Sequence, residues 1–144
     1  RVGWIVGPEA IMADIGLVGI YNVVTPVGLT QGAAATALQA KDDGVAAAVI
    51  EWQRRRDVIV EELVGLPLVP AAGGWSMLLD VGAMGHDSFT ASGRLLKRGK
   101  IAATPMRDWG AINSDQFVRL VFSNEPVERL RGIGARVQIA LGER

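Results

Sequence analysis

The pattern that most constrains this chain is a helical stripe running from Val45 to Val64. Val45, Val49, Trp52, Ile59 and Leu63 fall on one face, interrupted only by Arg56. Asp43 stands where an N-cap is expected, and Gly65 with Pro67 ends the helix. A helix of 20 residues spans about 30 Å, the diameter of a small domain. An element of that reach can join two lobes.

The flanking segments differ in character. On the N-terminal side, Arg1 to Val6 reads as a short strand closed by Gly7-Pro8, and Glu9 to Ile20 as a helix carried by Ile11, Ile15 and Val18. Tyr21 to Thr30 reads as an extended loop, and Gln31 to Ala40 as an Ala-rich helix. On the C-terminal side, Pro67, Pro70, Gly73 and Gly74 open a turn-rich stretch. Trp75 to Val81 then reads as a strand. Asp87 to Arg98 reads as an amphipathic helix anchored by Phe89, Leu95 and Leu96 and capped by Gly99. Ile101 to Thr104 is a short strand stopped by Pro105, and Phe117 to Ser123 is the strongest strand pattern of all. Pro126 opens a final helix, Val127 to Leu141, with Leu130, Ile133, Val137 and Leu141 on one face. Strands alternating with helices predict α/β layering.

Composition narrows the function. At 144 residues and 49% apolar content, the chain is long and greasy enough to bury a core. Fifteen Lys plus Arg balance fifteen Asp plus Glu, which argues against a dedicated nucleic-acid or anionic-membrane binder. The run Arg54-Arg55-Arg56 sits amid Glu51, Asp57, Glu61 and Glu62 and reads as a salt-bridged helix face. There is no cysteine, so disulfides, thiolate metal sites and a cysteine nucleophile are excluded. His86 is the one histidine; it leaves no His-rich metal cluster, and it reads as an exposed turn residue. The most apolar region, Ile5 to Val27, is broken by Pro8, Glu9, Asp14, Asn22 and Pro26 and does not read as a membrane span. With no signal-peptide pattern, the expected compartment is the cytoplasm. The chain opens on Arg1 rather than Met and runs straight into apolar sequence, from which further residues are expected upstream.

Arg119 carries the most chemical information. A guanidinium placed between Val118 and Leu120 needs an anionic partner or a wet cleft. Its planar fork suits a carboxylate held by two parallel hydrogen bonds. A strand with one face in solvent, or a structural ion pair with Asp80, would accommodate it equally. Ser76 and Ser123 have no His or Lys nearby in sequence to activate them, Trp4 and Trp75 read as packing residues, and Ser114-Asp115 reads as an ordinary turn.

Five blocks in register give the chain a family resemblance. They are Arg1-Val2-Gly3-Trp4-Ile5-Val6-Gly7-Pro8, Thr30-Gln31-Gly32-Ala33-Ala34-Ala35, Gly73-Gly74-Trp75-Ser76-Met77-Leu78-Leu79-Asp80, Ala102-Ala103-Thr104-Pro105 through Trp109-Gly110, and Phe117-Val118-Arg119-Leu120-Val121-Phe122-Ser123. Together they resemble the C-terminal portion of the pyridoxal-phosphate-dependent aminotransferases of class I/II, fold type I.

The resemblance implies an α/β fold made of the end of the large cofactor-binding domain (residues 1–44), a long connecting helix (45–64) and a small C-terminal α/β domain (65–144). It implies that Arg119 binds the substrate α-carboxylate and that Arg1 helps hold the phosphate of pyridoxal 5'-phosphate. It further implies amino transfer from an amino acid to a 2-oxo acid, and a homodimer whose sites lie near the subunit interface, which the Thr25-Pro26 loop would approach. The family's Schiff-base lysine would precede Arg1, so no catalytic residue is assigned here. Lys41, Lys97 and Lys100 match no family position and read as surface charges, and the 144-residue chain alone is expected to be inactive. Met106 and Trp109 depart from the glycine and phenylalanine common in relatives. A non-catalytic packing or dimerisation module, or a lyase or decarboxylase on the same fold, would use the same scaffold differently.

Overall fold

The computed structural model describes residues 2–142. They divide into two compact units, Arg1–Ala46 and Ala47–Arg144. Arg1, the residue matched to phosphate binding, lies outside the described residues.

The first unit is built from α1 (Glu9–Val23) and α2 (Gly28–Gln39). Residues 2–7 take no regular structure, so the strand expected there is not formed; a strand needs a neighbour to satisfy its backbone, and none of the described residues pairs with it. Helix α1 runs three residues past Ile20, and α2 begins at Gly28 rather than Gln31, so the intervening loop is much shorter than the β-branched sequence suggests. Neither helix buries a residue, although α1 is apolar on every side. Tyr21 is 83% exposed and Leu29 93%.

The second unit carries the core. The stripe of α3 (Val45–Glu62) continues through Leu63, and its lower half, Ile59 and Leu63, is buried, as is Val58 off the stripe, while Val49 higher on the same stripe is exposed. The sheet has four antiparallel strands in the order β1-β2-β4-β3: β1 (Leu68–Val69), β2 (Ser76–Asp80), β3 (Thr104–Pro105) and β4 (Phe117–Val121). Pro105 is tolerated because β3 is an edge strand. Alternation sorts the two central strands into faces. Met77 opposite Leu120 and Leu79 opposite Val118 lie on the inner face and are buried. Ser76, Leu78 and Asp80 of β2, with Phe117, Arg119 and Val121 of β4, share the other face.

Helices supply the second layer. Asp87 caps α4 (Ser88–Arg94), accepting hydrogen bonds from the Phe89 and Thr90 amides, and the chain continues through a π-helical turn, Leu95–Gly99. That turn is not capped by Gly99. Lys100 adopts the left-handed conformation (φ 54°), and Gly99 is buried against Arg136 O of the last helix. Of the three expected anchors only Leu95 is buried; Phe89 and Leu96 are exposed. The final helix is divided into α5 (Val127–Leu130) and α6 (Ile133–Leu141) by Gly132 at φ 73°. Its expected face, Leu130, Ile133, Val137 and Leu141, is buried throughout. These side chains join the inner sheet face in one apolar cluster. Among the described residues no helix is long and apolar enough to cross a membrane.

Candidate functional site

Arg119 lies on the sheet face opposite the core, on a central strand, between Leu78 of β2 and Thr104 of β3. Its Nε is buried and has no hydrogen-bond partner among the described residues. The ion pair with Asp80 does not form. Asp80 stands opposite Phe117, two positions along the ladder, and its carboxylate accepts from the Ala83 amide. What covers Arg119 is an aromatic ring: its Cζ sits over Trp109, 4.6 Å from the ring centroid. The contact engages the guanidinium through its charge and uses none of its N–H groups. A buried donor without an acceptor, on a fork shaped for a carboxylate, is chemically matched to an anionic ligand.

The segment that brings Trp109 there is built step by step. Met106 N donates to Phe117 O at 3.1 Å, extending the pairing of β3 with β4 by one rung. Trp109 N then donates to Met106 O at 2.9 Å, turning the chain back on itself. Ser114 Oγ bonds both Arg107 O (2.6 Å) and Gly110 O (2.8 Å), pinning the far side of the loop. Asn113 takes the left-handed conformation (φ 55°), and a single 3-10 turn, Ser114–Gln116, leads into β4.

A charged strap spans the base of this loop. Arg107 donates to both carboxylate oxygens of Asp115, each at 3.1 Å, and reaches Asp87 Oδ1 at 3.4 Å. Its Cζ lies 5.8 Å from the Phe89 ring centroid. Ser88, fully buried, donates to Asp115 Oδ1 at 2.7 Å. The hydrogen bond from Arg107, then that from Ser88, holds the Asp115 carboxyl below its ordinary range. Asp87 is likewise lowered, first by the Thr90 amide it caps. Asp115, read from sequence as an ordinary turn residue, is thus a junction between the loop, α4 and β4. A signal for this existed: once the β3–β4 hairpin is drawn, the opposite charges of Arg107 and Asp115 fall nearly across from each other.

The other singled-out residues lie elsewhere. Lys41, Lys97 and Lys100 are exposed, and Lys100 Nζ donates to Lys97 O. His86 is half-buried rather than exposed, with Nε2 2.9 Å from Leu141 O. Arg55 and Arg56 do more than decorate a solvated face: Arg55 donates to Ser123 O and Glu51, and Arg56 to Ala71 O and Asp57. Among the described residues no group of His, Cys, Asp and Glu is placed to hold a metal ion.

Comparison with known proteins gives a consistent picture. The family model described as "Aminotransferase class I and II" matches residues 1–133. The chain is 29% identical to the arginine–pyruvate transaminase of Pseudomonas aeruginosa over 148 aligned positions, covering 99% of this chain and 38% of that protein. Its fold matches an aromatic aminotransferase from Pyrococcus horikoshii with a TM-score of 0.75 at 28% identity, covering 95% of this chain and 37% of the other. An aminotransferase from Mycobacterium tuberculosis, 21% identical, shares the fold with a TM-score of 0.81 over 99% of this chain and 38% of its own. The chain thus spans about 38% of the length of the curated relatives it matches.

Proposed function

We infer the function from the family, for the chain belongs to the class I and II aminotransferases. It is read as a C-terminal segment of a pyridoxal-phosphate-dependent aminotransferase, an enzyme that moves an amino group from an amino acid to a 2-oxo acid. Residues 1–44 belong to the end of the cofactor-binding domain, 45–64 to a connecting helix and 65–144 to the small domain. The intact enzyme is a cytoplasmic homodimer.

The observation that carries this reading is the buried, unpartnered Nε of Arg119 on the open face of the sheet. Arg119 takes the substrate carboxylate as a charge-assisted pair. Fixing that end restricts the rotation of the substituents on Cα, so the group contributes by position rather than by proton transfer. Trp109 shields one side of the guanidinium from water, and the Arg107–Asp115 strap holds the loop that carries Trp109. The cofactor, when bound, supplies an electron sink for the carbanion formed at Cα. The residue of this chain assigned to its phosphate is Arg1, whose charge suits a phosphate dianion.

The test is Arg119→Ala in a full-length enzyme carrying this chain. Loss of a charge-assisted pair is worth about 1.5–3 kcal/mol, so kcat/KM for the amino acid should fall by roughly ten- to a hundredfold. An unchanged kcat/KM would remove the assignment.

A second reading rests on the first unit. Helix α1 is apolar all round and buries nothing, which suits a surface made to be covered. On that reading the 144 residues act as a packing or dimerisation module. Borohydride reduction of added pyridoxal phosphate in the full-length protein that carries this chain separates the two: an aminotransferase is expected to give a covalent adduct and a packing module is not.

A further inference from the structure

The strap across the loop 106–116 ties the segment that carries Trp109 to the start of α4. Arg107 is exposed and its two acidic partners are half-buried, yet it makes three charged hydrogen bonds and lies near the Phe89 ring. Surface ion pairs of this sort add little to stability. Their effect here is on position. Two residues beyond Arg107, the chain turns at Trp109, whose ring covers the Arg119 guanidinium. One rung before it, Met106 is tied to β4 through Phe117 O. The ring is therefore held between an anchored backbone on one side and a two-pronged guanidinium–carboxylate pair on the other. Asp115 is itself fixed from behind by the buried hydroxyl of Ser88.

We propose that Arg107 is a positioning residue for substrate: by clamping Asp115 and Asp87 it keeps Trp109 against Arg119, and so holds the guanidinium in the orientation that receives a carboxylate. This rests on the assignment of Arg119 to carboxylate binding. The clamp acts before substrate arrives, so it lowers the ordering cost of binding. Without it the loop is free to swing, Trp109 leaves the guanidinium, and the long Arg119 side chain samples rotamers that do not face the ligand. The chemistry at Cα is untouched by that loss. The signature is therefore a change in KM with kcat nearly constant.

The experiment uses the full-length enzyme carrying this chain, with Arg107→Met, Trp109→Ala, the double variant, Arg107→Lys and Arg119→Ala. Arg107→Met should raise KM for the amino acid about fivefold, the size of a cation–π contact at a partly exposed site, with kcat within about twofold. In the Trp109→Ala background the same substitution should add almost nothing, because its route is gone. Arg107→Lys should recover only part of the loss, since an ammonium cannot span both oxygens of Asp115. The emission of Trp109, obtained by subtracting the spectrum of Trp109→Phe, should move to the red in Arg107→Met without added substrate. If Arg119→Ala raises KM but Arg107→Met does not, or if the Arg107 and Trp109 effects simply add, this inference fails while the carboxylate assignment stands. If Arg119→Ala itself leaves kcat/KM unchanged, the carboxylate assignment fails first.

Discussion

The Cζ of Arg119, in the middle of β4, lies 4.6 Å from the centroid of the ring of Trp109, which belongs to the segment connecting β3 to β4. The contact links a strand residue fixed by the sheet ladder to a loop residue fixed by a turn. A cation over an indole at a partly exposed site is worth about 0.5–1 kcal/mol. Trp109→Ala should therefore lower the unfolding free energy of the chain by about that amount, read from urea titration followed by circular dichroism. Trp109→Phe should recover roughly half of it, since a phenyl face attracts a cation less strongly than indole. A loss well above that in Trp109→Ala would mean that the ring supports the fold rather than the guanidinium.

The two faces of β2 should respond very differently to the same truncation. Leu79 is fully buried opposite Val118, whereas its neighbour Leu78 lies beside Arg119 on the open face. Leu79→Ala leaves a cavity in the core and should cost about 2–5 kcal/mol. Leu78→Ala removes partly solvated surface and should cost under about 1.5 kcal/mol. Unfolding midpoints of the two variants in one titration settle the comparison, and equal losses would contradict the assignment of faces.

The sheet was legible in sequence where one strand carried its own record. Phe117 to Ser123 reads as an apolar strand interrupted by Arg119, and the pleat of a strand puts Val118 and Leu120 on one face and Arg119 on the other. Its exceptional status in that strand was equally plain. The residue that covers it was not, because Trp109 reaches it through a turn closed by backbone bonds and a side-chain strap that leave no periodic trace. The break between α5 and α6 escaped for a similar reason. The apolar face from Leu130 to Leu141 is continuous, but Glu62 Oε2 accepts from the Gly132 amide at 2.8 Å, and Arg131 pairs with Glu61 and Glu62. Partners 70 residues away in sequence thus fix a glycine at φ 73°, and local pattern contains neither of them. Phe89 and Leu96 failed as anchors because the buried face is Ser88, Ala91 and Leu95, spaced i, i+3 and i+7, and each of the two lies one position past it.

Two glycines offer a matched pair. A Cβ on Gly134 would run into the carbonyl oxygen of Glu62, at the end of α3. A Cβ on Gly93, inside α4, would meet nothing within 4 Å. Gly134→Ala should therefore force α6 away from α3 and cost about 1–3 kcal/mol. Gly93→Ala should stabilise by about 0.5–1 kcal/mol, because it reduces the freedom of the unfolded chain at a helical position. Thermal midpoints moving in opposite directions confirm the pair; a neutral Gly134→Ala would show that the two helices do not approach as closely as the backbone indicates.

The strap also sets an acid limit. Asp115 is held below its ordinary range chiefly by Arg107 and then by Ser88, and Asp87 by the Thr90 amide first. A carboxyl whose folded value is depressed binds fewer protons in the folded state than in the unfolded one. The stability it contributes is complete above the unfolded value of about 3.9 and is lost as pH falls through the folded value. Unfolding midpoints in urea should thus be flat near neutrality and decline below about pH 4. Asp115→Asn removes one of these groups. That variant should begin lower at neutral pH, decline less steeply below pH ~4 and converge on the parent in strong acid. Asp57, lowered by Gln53 and then Arg56, titrates in both proteins and leaves the difference between them unchanged. Parallel curves at all pH values would show that Asp115 is not held by its partners in solution.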